Sequence, residues 1–118
     1  MSILEELVKK LPWEEGRQKT GYKKIKLLES ERLNFDCYLL YYPEGSEIPQ
    51  HFDKVESGRH YRMNIVLKKA DVGGDFVCQD VIFSKYRTNI FRPDIAEHSV
   101  TKIEKGYRLV LSIGWLKE

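Results

Sequence analysis

Four residues in this sequence have the types and the spacing that metal-dependent oxidation needs. His51 and Asp53 are separated by one residue, His98 comes much later, and Arg108 follows it by ten positions. Two imidazoles and one carboxylate form the facial triad that holds Fe(II) and leaves its other face open for small ligands. Structural zinc sites are usually closed by four Cys or His ligands, which this set does not provide. The sequence therefore predicts a ferrous site, with an arginine nearby that can bind a carboxylate in a bidentate manner.

Each of these residues also has an ordinary structural explanation. Alternation along a strand would place His51 and Asp53 on one face, but such a pair is more often a surface histidine beside a solvated aspartate. His98 could be a capping or core histidine, and Arg108 could be a surface arginine. The apolar run that starts at Leu109 argues against a surface arginine, because burying a guanidinium among apolar residues is costly without an anion.

The elements that must position these residues are mostly strands. Ser2 with Glu5 fits a capping box, and apolar residues recur at helical spacing up to Pro12, so one short amphipathic helix is predicted to pack on the outside of a sheet. A loop is predicted over 13–21. So many short strands after it indicate a sandwich or barrel, with a jelly roll within that range. Turn residues divide nine predicted strands: Tyr22–Leu28, Phe35–Tyr42, His51–Asp53, Tyr61–Lys68, Asp75–Cys78, Val81–Ser84, Thr88–Arg92, His98–Ile103 and Tyr107–Leu116.

Alternation within the last strands predicts which side chains surround the metal. The strands that carry His98 and Arg108 are expected to form a hairpin, so that the two residues lie on neighbouring strands. Ser112 then shares a face with Arg108 and is a candidate partner for the same carboxylate. Tyr42 shares a face with Tyr38 on an earlier strand, and a phenol there could line the same cavity. Ordinary strand packing explains such tyrosines equally well.

The strand from Tyr61 to Lys68 has one apolar face and one mixed face. Such alternation is normally core on one side and solvent on the other. If this strand lines a cavity instead, Asn64 and Lys68 on the mixed face become candidate contacts to a bound ligand. His60 lies next to a turn at Gly58 and is expected at the surface or near a substrate entrance.

Composition places this chain among globular proteins. At 118 residues it has the length of one domain, and its hydrophobic content of 42% suits a folded core. The net charge of +2 comes from mixed acids and bases, with no strongly basic face for nucleic acid. No secretory leader or membrane-length apolar run is present, so we expect a cytoplasmic protein. Cys37 and Cys78 lack CxxC spacing and are expected to be free thiols, a disulfide being the alternative.

The order of the short motifs resembles that of a known family. From about Phe35 to Trp115 the chain is similar to the Fe(II)/2-oxoglutarate-dependent dioxygenases, especially the prolyl 4-hydroxylase-like branch and its small microbial or phage-type members. This resemblance implies an all-β fold, a double-stranded β-helix (jelly roll) with one short N-terminal helix. It implies a single domain over 1–118, with helix and loop over 1–21 and the jelly-roll core over about 35–116. The motifs are Tyr42-Pro43-Glu44-Gly45, His51-Phe52-Asp53, Gly73-Gly74-Asp75-Phe76, Phe91-Arg92-Pro93, His98-Ser99-Val100, Gly106-Tyr107-Arg108 and Trp115.

The resemblance also implies roles for individual residues. His51, Asp53 and His98 would be the catalytic iron ligands, and Arg108 would hold the distal carboxylate of 2-oxoglutarate, with O₂ as cosubstrate. Tyr42 matches a common cosubstrate contact. The remaining expected cosubstrate contacts are Ser112, Asn64 and Lys68, although the family often has a tyrosine near the position of Lys68. The expected cavity walls are Val66, Val100, Val110 and Trp115.

The function implied by the resemblance is hydroxylation of an unactivated C–H bond, coupled to decarboxylation of 2-oxoglutarate to succinate. The substrate would be a peptide, for example a prolyl or other residue in a protein, or a small molecule. One alternative is oxidation of a nucleobase or nucleoside by a member of the same family. Another is a non-catalytic jelly-roll module that binds a metal or a ligand. Because little helix covers the sheet, a homodimer that buries part of it is also expected.

Overall fold

The computed structural model describes residues 3–16 and 20–118. These residues form one short helix, α1, and twelve strands. None of the described helices is long and apolar enough to cross a membrane. The bounds are α1 Ile3–Lys9, β1 Glu14–Glu15, β2 Lys23–Ser30, β3 Phe35–Tyr42, β4 Ile48–His51, β5 Arg59–Lys68, β6 Val72–Gly73, β7 Phe76–Cys78, β8 Val81–Lys85, β9 Thr88–Phe91, β10 His98–Val100, β11 Ile103–Lys105 and β12 Arg108–Lys117.

The strands form two facing sheets and a small two-stranded ribbon. The larger sheet has seven strands in the order β1-β2-β3-β12-β5-β9-β8, the smaller has the order β4-β10-β7, and β11 pairs with β6. Side chains of both sheets line one cavity between them. The fold is therefore a jelly roll with a single short helix among the described residues, as the sequence predicted.

A compact core fills one end of the space between the sheets. Val110 on β12 is completely buried there, and Val100 of the smaller sheet packs in the same cluster with Tyr42 and Ile103. The rings of Tyr22 and Tyr42 stack with centroids 5.4 Å apart. This cluster forms the base of the cavity.

The helix packs on the outer face of the larger sheet, as predicted, but through fewer residues than its pattern indicates. Val8 is buried against Tyr41, Tyr107 and Leu109 on that face. The other apolar residues of the helical stripe are exposed: Ile3, Leu4, Leu7 and Leu11. The predicted capping box involves Ser2, which lies outside the described residues, and the predicted loop after the helix contains the two-residue strand β1.

The predicted hairpin between the strands of His98 and Arg108 is wrong. The segment predicted as one strand divides into β10 and β11, and β10 pairs with β4 and β7. The strand that carries Arg108, β12, pairs with β3 and β5 in the opposite sheet. The chain crosses between sheets where β11 meets Gly73, whose φ of 79° is accessible to glycine and whose absent Cβ leaves room for the Lys102 carbonyl. His98 and Arg108 therefore face each other across the interior.

A β-bulge in the larger sheet changes the direction of Lys68. Val66 pairs with Val110, but the next paired position joins Lys68 to Leu109, so one residue of β5 is extra. Lys68 consequently lies on the outer face, where its ammonium sits 5.0 Å from the Tyr107 ring centroid and donates to the Lys69 carbonyl oxygen at 2.5 Å. It does not line the cavity, so the expected contact of Lys68 with a cosubstrate is not supported.

Candidate metal centre

Three potential metal ligands converge on the smaller sheet. His51 ends β4 and His98 begins β10, and the two residues are directly paired across these antiparallel strands. Asp53 follows two positions after the end of β4, while the intervening Phe52 turns outward and is exposed. One ligand atom from each of the three side chains lies within 4.8 Å of the others. Strand pairing thus brings together two histidines that are far apart in sequence.

Hydrogen bonds hold both imidazoles in one orientation. His51 Nδ1 lies 2.8 Å from the Pro49 carbonyl oxygen, and His98 Nδ1 lies 2.9 Å from the Ala96 carbonyl oxygen. A carbonyl only accepts, so each Nδ1 carries a proton and donates it. In the neutral imidazole, Nε2 then carries a lone pair. Such support from a backbone carbonyl is typical of histidines that bind a metal through the other nitrogen.

The two Nε2 atoms point at the carboxylate of Asp53. Oδ1 lies 3.4 Å from Nε2 of His51, and Oδ2 lies 3.3 Å from Nε2 of His98. Lone pairs facing carboxylate oxygens repel unless a positive charge lies between them, either protons on Nε2 or a metal cation. The donor set therefore fits a cation held by two neutral imidazoles and one carboxylate.

The environment keeps the Asp53 carboxyl ionised. Burial by itself would raise its pKa, but hydrogen bonding and charge attraction from the His51 and His98 rings, in the form that carries protons on both nitrogens, outweigh burial and hold this pKa well below its usual value. The backbone N–H of Asp53 also donates to the Pro93 carbonyl oxygen at 2.7 Å, which fixes the turn after β4. A carboxylate that stays charged and fixed in position is what a metal ligand requires.

Aromatic side chains make the wall behind the ligands apolar. Phe91 is almost completely buried, with its ring centroid 5.0 Å from that of His98 and 4.9 Å from that of Phe76. This packing excludes water from one side of the ligand cluster. Low local polarity strengthens every electrostatic interaction on the open side.

Arg108 lies in the same cavity, on the opposite sheet, and is 3% exposed. Its guanidinium carbon sits 4.7 Å from the ring centroid of Tyr42, the residue directly paired with it on β3. Among residues 3–16 and 20–118, no carboxylate lies within ion-pair distance of this guanidinium. Burial raises the pKa of the Tyr42 phenol, and the positive charge of Arg108 opposes that rise. A buried cation of this kind needs an anion from outside the chain.

Two other expected contacts also line the cavity. Ser112 is buried on the same face of β12 as Arg108, and its Oγ accepts a hydrogen bond from Nη1 of Arg62 at 2.8 Å. Asn64 is 7% exposed and pairs with Ser112 across β5 and β12. Its Oδ1 has no hydrogen-bond partner among the described residues. Alternation along β12 predicted this face correctly.

Of the four residues expected to form the cavity walls, three face the interior between the sheets and one faces away from it. Val100 lines the cavity, and Val110 is buried in the core beneath it. Val66 packs against that same core without lining the cavity. Trp115 lies outside the cavity, with its ring stacked on Tyr61 at a centroid distance of 5.8 Å. Its odd position in β12 directs it to the face opposite Arg108.

Three charged residues that line the cavity were not predicted from the sequence, namely Asp36, Lys24 and Arg62. His60, which also lines it, was expected only at the surface or near an entrance. Arg62 shares the mixed face of β5 with Asn64, so strand alternation was the signal that could have identified it. The two cysteines are free thiols, as predicted, with Cys37 buried and Cys78 partly buried.

Solved structures similar to this chain share its fold. No family model matches the sequence, and no curated protein matches it. A Pseudomonas putida prolyl-4-hydroxylase aligns with a TM-score of 0.67 at 16% identity, covering 91% of this chain and 78% of that one. The chain has a cupin and 2-oxoglutarate-oxygenase-like fold. A 2OG-Fe(II) oxygenase family oxidoreductase from Burkholderia pseudomallei aligns with a TM-score of 0.65 at 15% identity, covering 98% and 76%.

A cupin domain matches about as well as the oxygenases do. The cupin domain of Schizosaccharomyces pombe Cnp3 aligns with a TM-score of 0.64 at 14% identity, covering 93% of this chain and 72% of that one. Because proteins of different function share this fold at such low identity, the likeness establishes the architecture. The function must be argued from the side chains in the cavity.

Proposed function

We propose that this protein is an Fe(II)- and 2-oxoglutarate-dependent oxygenase that hydroxylates an unactivated C–H bond. One observation carries the proposal: a two-histidine, one-carboxylate cluster and a buried arginine with no carboxylate partner in the described part of the chain line the same cavity. The cluster fits a cation, and the arginine fits an anion. A ferrous ion and a dicarboxylate satisfy both requirements at once.

In this proposal each residue of the cluster has a defined task. His51, Asp53 and His98 hold the metal, with both imidazoles oriented by the carbonyl groups that accept from Nδ1. When bound, iron and the keto acid together supply the oxidising power of the reaction, and the protein supplies binding, orientation and a dry pocket. Three protein ligands leave the remaining coordination positions for the cosubstrate and O₂.

The opposite sheet would hold the cosubstrate by its distal carboxylate. Arg108 supplies the positive charge, and its guanidinium is kept in place by the ring of Tyr42. The phenol of Tyr42 and the hydroxyl of Ser112 lie in the same cavity and can donate hydrogen bonds to that carboxylate. A bidentate arginine contact restricts both position and rotation of the ligand.

A non-catalytic cupin module is the alternative that the fold alone supports equally, given the likeness to the Cnp3 domain. Arg108 favours the oxygenase, because binding of a metal alone does not require a buried cation in the same cavity that lacks a carboxylate partner among the described residues. The net charge of +2, with acids and bases mixed along the chain, gives no support to a nucleic-acid substrate.

Cosubstrate chemistry can be tested without knowing the substrate. Adding Fe(II) and then 2-oxoglutarate under anaerobic conditions should produce a weak visible absorption band that requires both components. Admission of air should then release succinate slowly. Asp53→Ala should abolish iron binding and both signals, because it removes the one anionic ligand. Asp80→Ala, which removes an exposed carboxylate outside the cavity, is the matched control.

The proposal fails if the iron-loaded protein neither develops the band nor consumes 2-oxoglutarate. In that case a metal-binding module would remain the better explanation of the histidine and aspartate cluster. It also fails if Asp53→Ala and Asp80→Ala behave alike.

A further inference from the structure

A second arginine spans the wall of the same cavity and is held in a fixed orientation. Arg62 extends from β5 across β12, donating from Nη1 to Ser112 at 2.8 Å and from Nη2 to Asp36 on β3 at 2.6 Å. Gly114 makes this path possible, because a Cβ there would lie 2.1 Å from Nη2. The Arg62 side chain is 15% exposed. Residues of three adjacent strands, β3, β12 and β5, therefore hold the Arg62 guanidinium in the cavity wall.

The charges around the cavity do not cancel when the proposed cosubstrate is bound. A ferrous ion with Asp53, and Arg108 with the 2-oxoglutarate dianion, together form a neutral set. Away from the metal, Asp36 balances the charge of Arg62. One cation that also lines the cavity, Lys24, is left over.

Lys24 has no carboxylate partner among the described residues. Its Nζ lies 5.4 Å from the ring centroid of Tyr38, a residue that lines the same cavity. A cation–π contact at a partly exposed site restrains the ammonium without neutralising it. Away from the metal ligands and Arg108, the charged side chains that line the cavity, namely Arg62, Asp36 and Lys24, therefore sum to one net positive charge.

Polar atoms near Arg62 also lack partners. Oδ1 of Asn64 and Nδ1 of His60 are buried without a hydrogen bond among the described residues, and both side chains line the cavity. Burial is the main reason why the pKa of His60 is lowered, so this imidazole is neutral near pH 7. Buried polar atoms without partners are uncommon in folded proteins. A ligand with N–H or O–H groups would satisfy them.

We propose that the substrate is a small carboxylic acid that also bears an N–H or O–H group, and that Arg62 and Lys24 bind its carboxylate. This inference rests on the proposed oxygenase function and specifies its substrate class. The cavity of about 260 Å³ is small beside the roughly 300–1,000 Å³ typical of ligand pockets, so a small molecule suits it. Arg62 and Lys24 determine specificity and do not take part in the chemistry.

The geometry favours a carboxylate over a phosphate or an uncharged peptide segment. A guanidinium has five N–H donors in a planar fork, and Ser112 and Asp36 accept from one each, so the remaining donors lie in a plane that suits a planar acceptor such as a carboxylate. A phosphate monoester carries close to two negative charges, more than the single positive charge available. An internal peptide residue carries none, which would leave Lys24 without a counterion.

Succinate release with matched pairs of compounds tests the proposal. The Fe(II)- and 2-oxoglutarate-loaded protein is assayed with each free amino acid, and with 2-hydroxy acids, beside the corresponding primary amide. We expect at least one acid to stimulate succinate release roughly ten- to a hundredfold more than its amide, the ratio expected for losing a hydrogen bond to a charged group. Because succinate release with the acid and with its amide is compared in the same variant, their ratio does not change when a substitution lowers activity in general.

Variants then assign the preference to particular residues. Arg62→Met should reduce the acid-to-amide ratio to near one, whereas Arg59→Met, an exposed position on the same strand, should leave it unchanged. Lys24→Met should lower the acid-to-amide ratio in part. It provides the test if Arg62→Met does not fold. Asp36→Asn should have the opposite effect, lowering the concentration of acid needed for half-maximal stimulation, because it removes the negative charge beside Arg62. A purely structural role for Asp36 would not give tighter binding.

The substrate class is overturned if amides stimulate as well as acids, if peptides or nucleosides stimulate while no free acid does, or if no acid stimulates. It is also overturned if Arg62→Met and Lys24→Met both keep the preference for acids. These results differ from failure of the proposed function, in which the wild-type protein shows no absorption band and consumes no 2-oxoglutarate even without substrate.

Discussion

Arg62 and Arg108 lie on adjacent strands and line one cavity, but the groups that surround their positive charges differ. Arg62 donates to Asp36 and Ser112, so its counterion belongs to the chain. Arg108 is more deeply buried, and its described neighbour is the ring of Tyr42 rather than a carboxylate. The chain itself supplies the carboxylate that balances Arg62, whereas in the proposed function a bound ligand supplies the one that balances Arg108.

This difference shows how function and stability can be separated within one sheet. An unpaired buried charge costs free energy, because its desolvation is not offset by an opposite charge. A protein retains such a charge where a bound anion offsets the cost. The contrast between the two arginines can therefore be tested by measuring stability and ligand binding in the same variants.

Replacing Arg108 with methionine should have the largest effect. Arg108→Met should abolish the absorption band that depends on 2-oxoglutarate while preserving iron binding. It should also raise the free energy of unfolding of the metal-free protein, by roughly 1–4 kcal/mol, because an apolar side chain replaces an unpaired buried cation. Urea denaturation and anaerobic titration measure the two effects. A less stable variant that still binds 2-oxoglutarate would remove the contrast with Arg62.

Replacing Arg62 with methionine should change stability in the opposite direction. Arg62→Met leaves the partly buried Asp36 carboxylate without its partner, so the free energy of unfolding should fall by roughly 1–3 kcal/mol. Urea denaturation of Arg62→Met, Asp36→Asn and the double variant gives the coupling between them. We expect the double variant to recover part of the loss. Strictly additive losses would mean that the ion pair does not hold the two strands together.

The smallest effect on stability is expected at Gly114. The Cβ added by Gly114→Ala would displace the flexible end of Arg62, not backbone, so the loss should be about 1 kcal/mol or less. In the Arg62→Met background the same alanine should be neutral or stabilising by about 0.4–1 kcal/mol, because the clash is gone and the unfolded chain is less flexible. Equal effects in both backgrounds, measured by thermal unfolding, would show that Arg62 does not lie over Gly114.

Local patterns in the sequence were enough to predict several parts of the site. Alternation along β12 placed Arg108 and Ser112 on one face, and alternation along β3 placed Tyr42 in the cavity, because side chains of a strand alternate without exception unless a bulge intervenes. The bounds of β3 were predicted correctly. The histidine and aspartate residues were chosen by their chemistry, and the structure brings their ligand atoms together.

Errors arose where pairing between distant strands decides the outcome. Adjacent strands in sequence usually form hairpins, which is why β10 and β12 were predicted as partners, yet the chain crosses to the other sheet between them. The bulge that turns Lys68 outward depends on its partner strand and leaves no mark in the local pattern. Arg62 lies on the mixed face of the predicted strand 61–68, but it was not among the residues expected to line the cavity.

The sequence by itself determined the strand-rich character of the chain, the side-chain parity of its long strands and the identity of the residues able to bind a metal or an anion. Those properties follow from short-range geometry, which neighbouring residues specify. Only the tertiary structure decided that His98 and Arg108 face each other from opposite sheets, and that Arg62 has a carboxylate partner whereas Arg108 has none among residues 3–16 and 20–118. Both facts depend on which strands pair across long separations in the sequence. A guanidinium forms an ion pair with a carboxylate that the fold places beside it, wherever that residue lies in the chain.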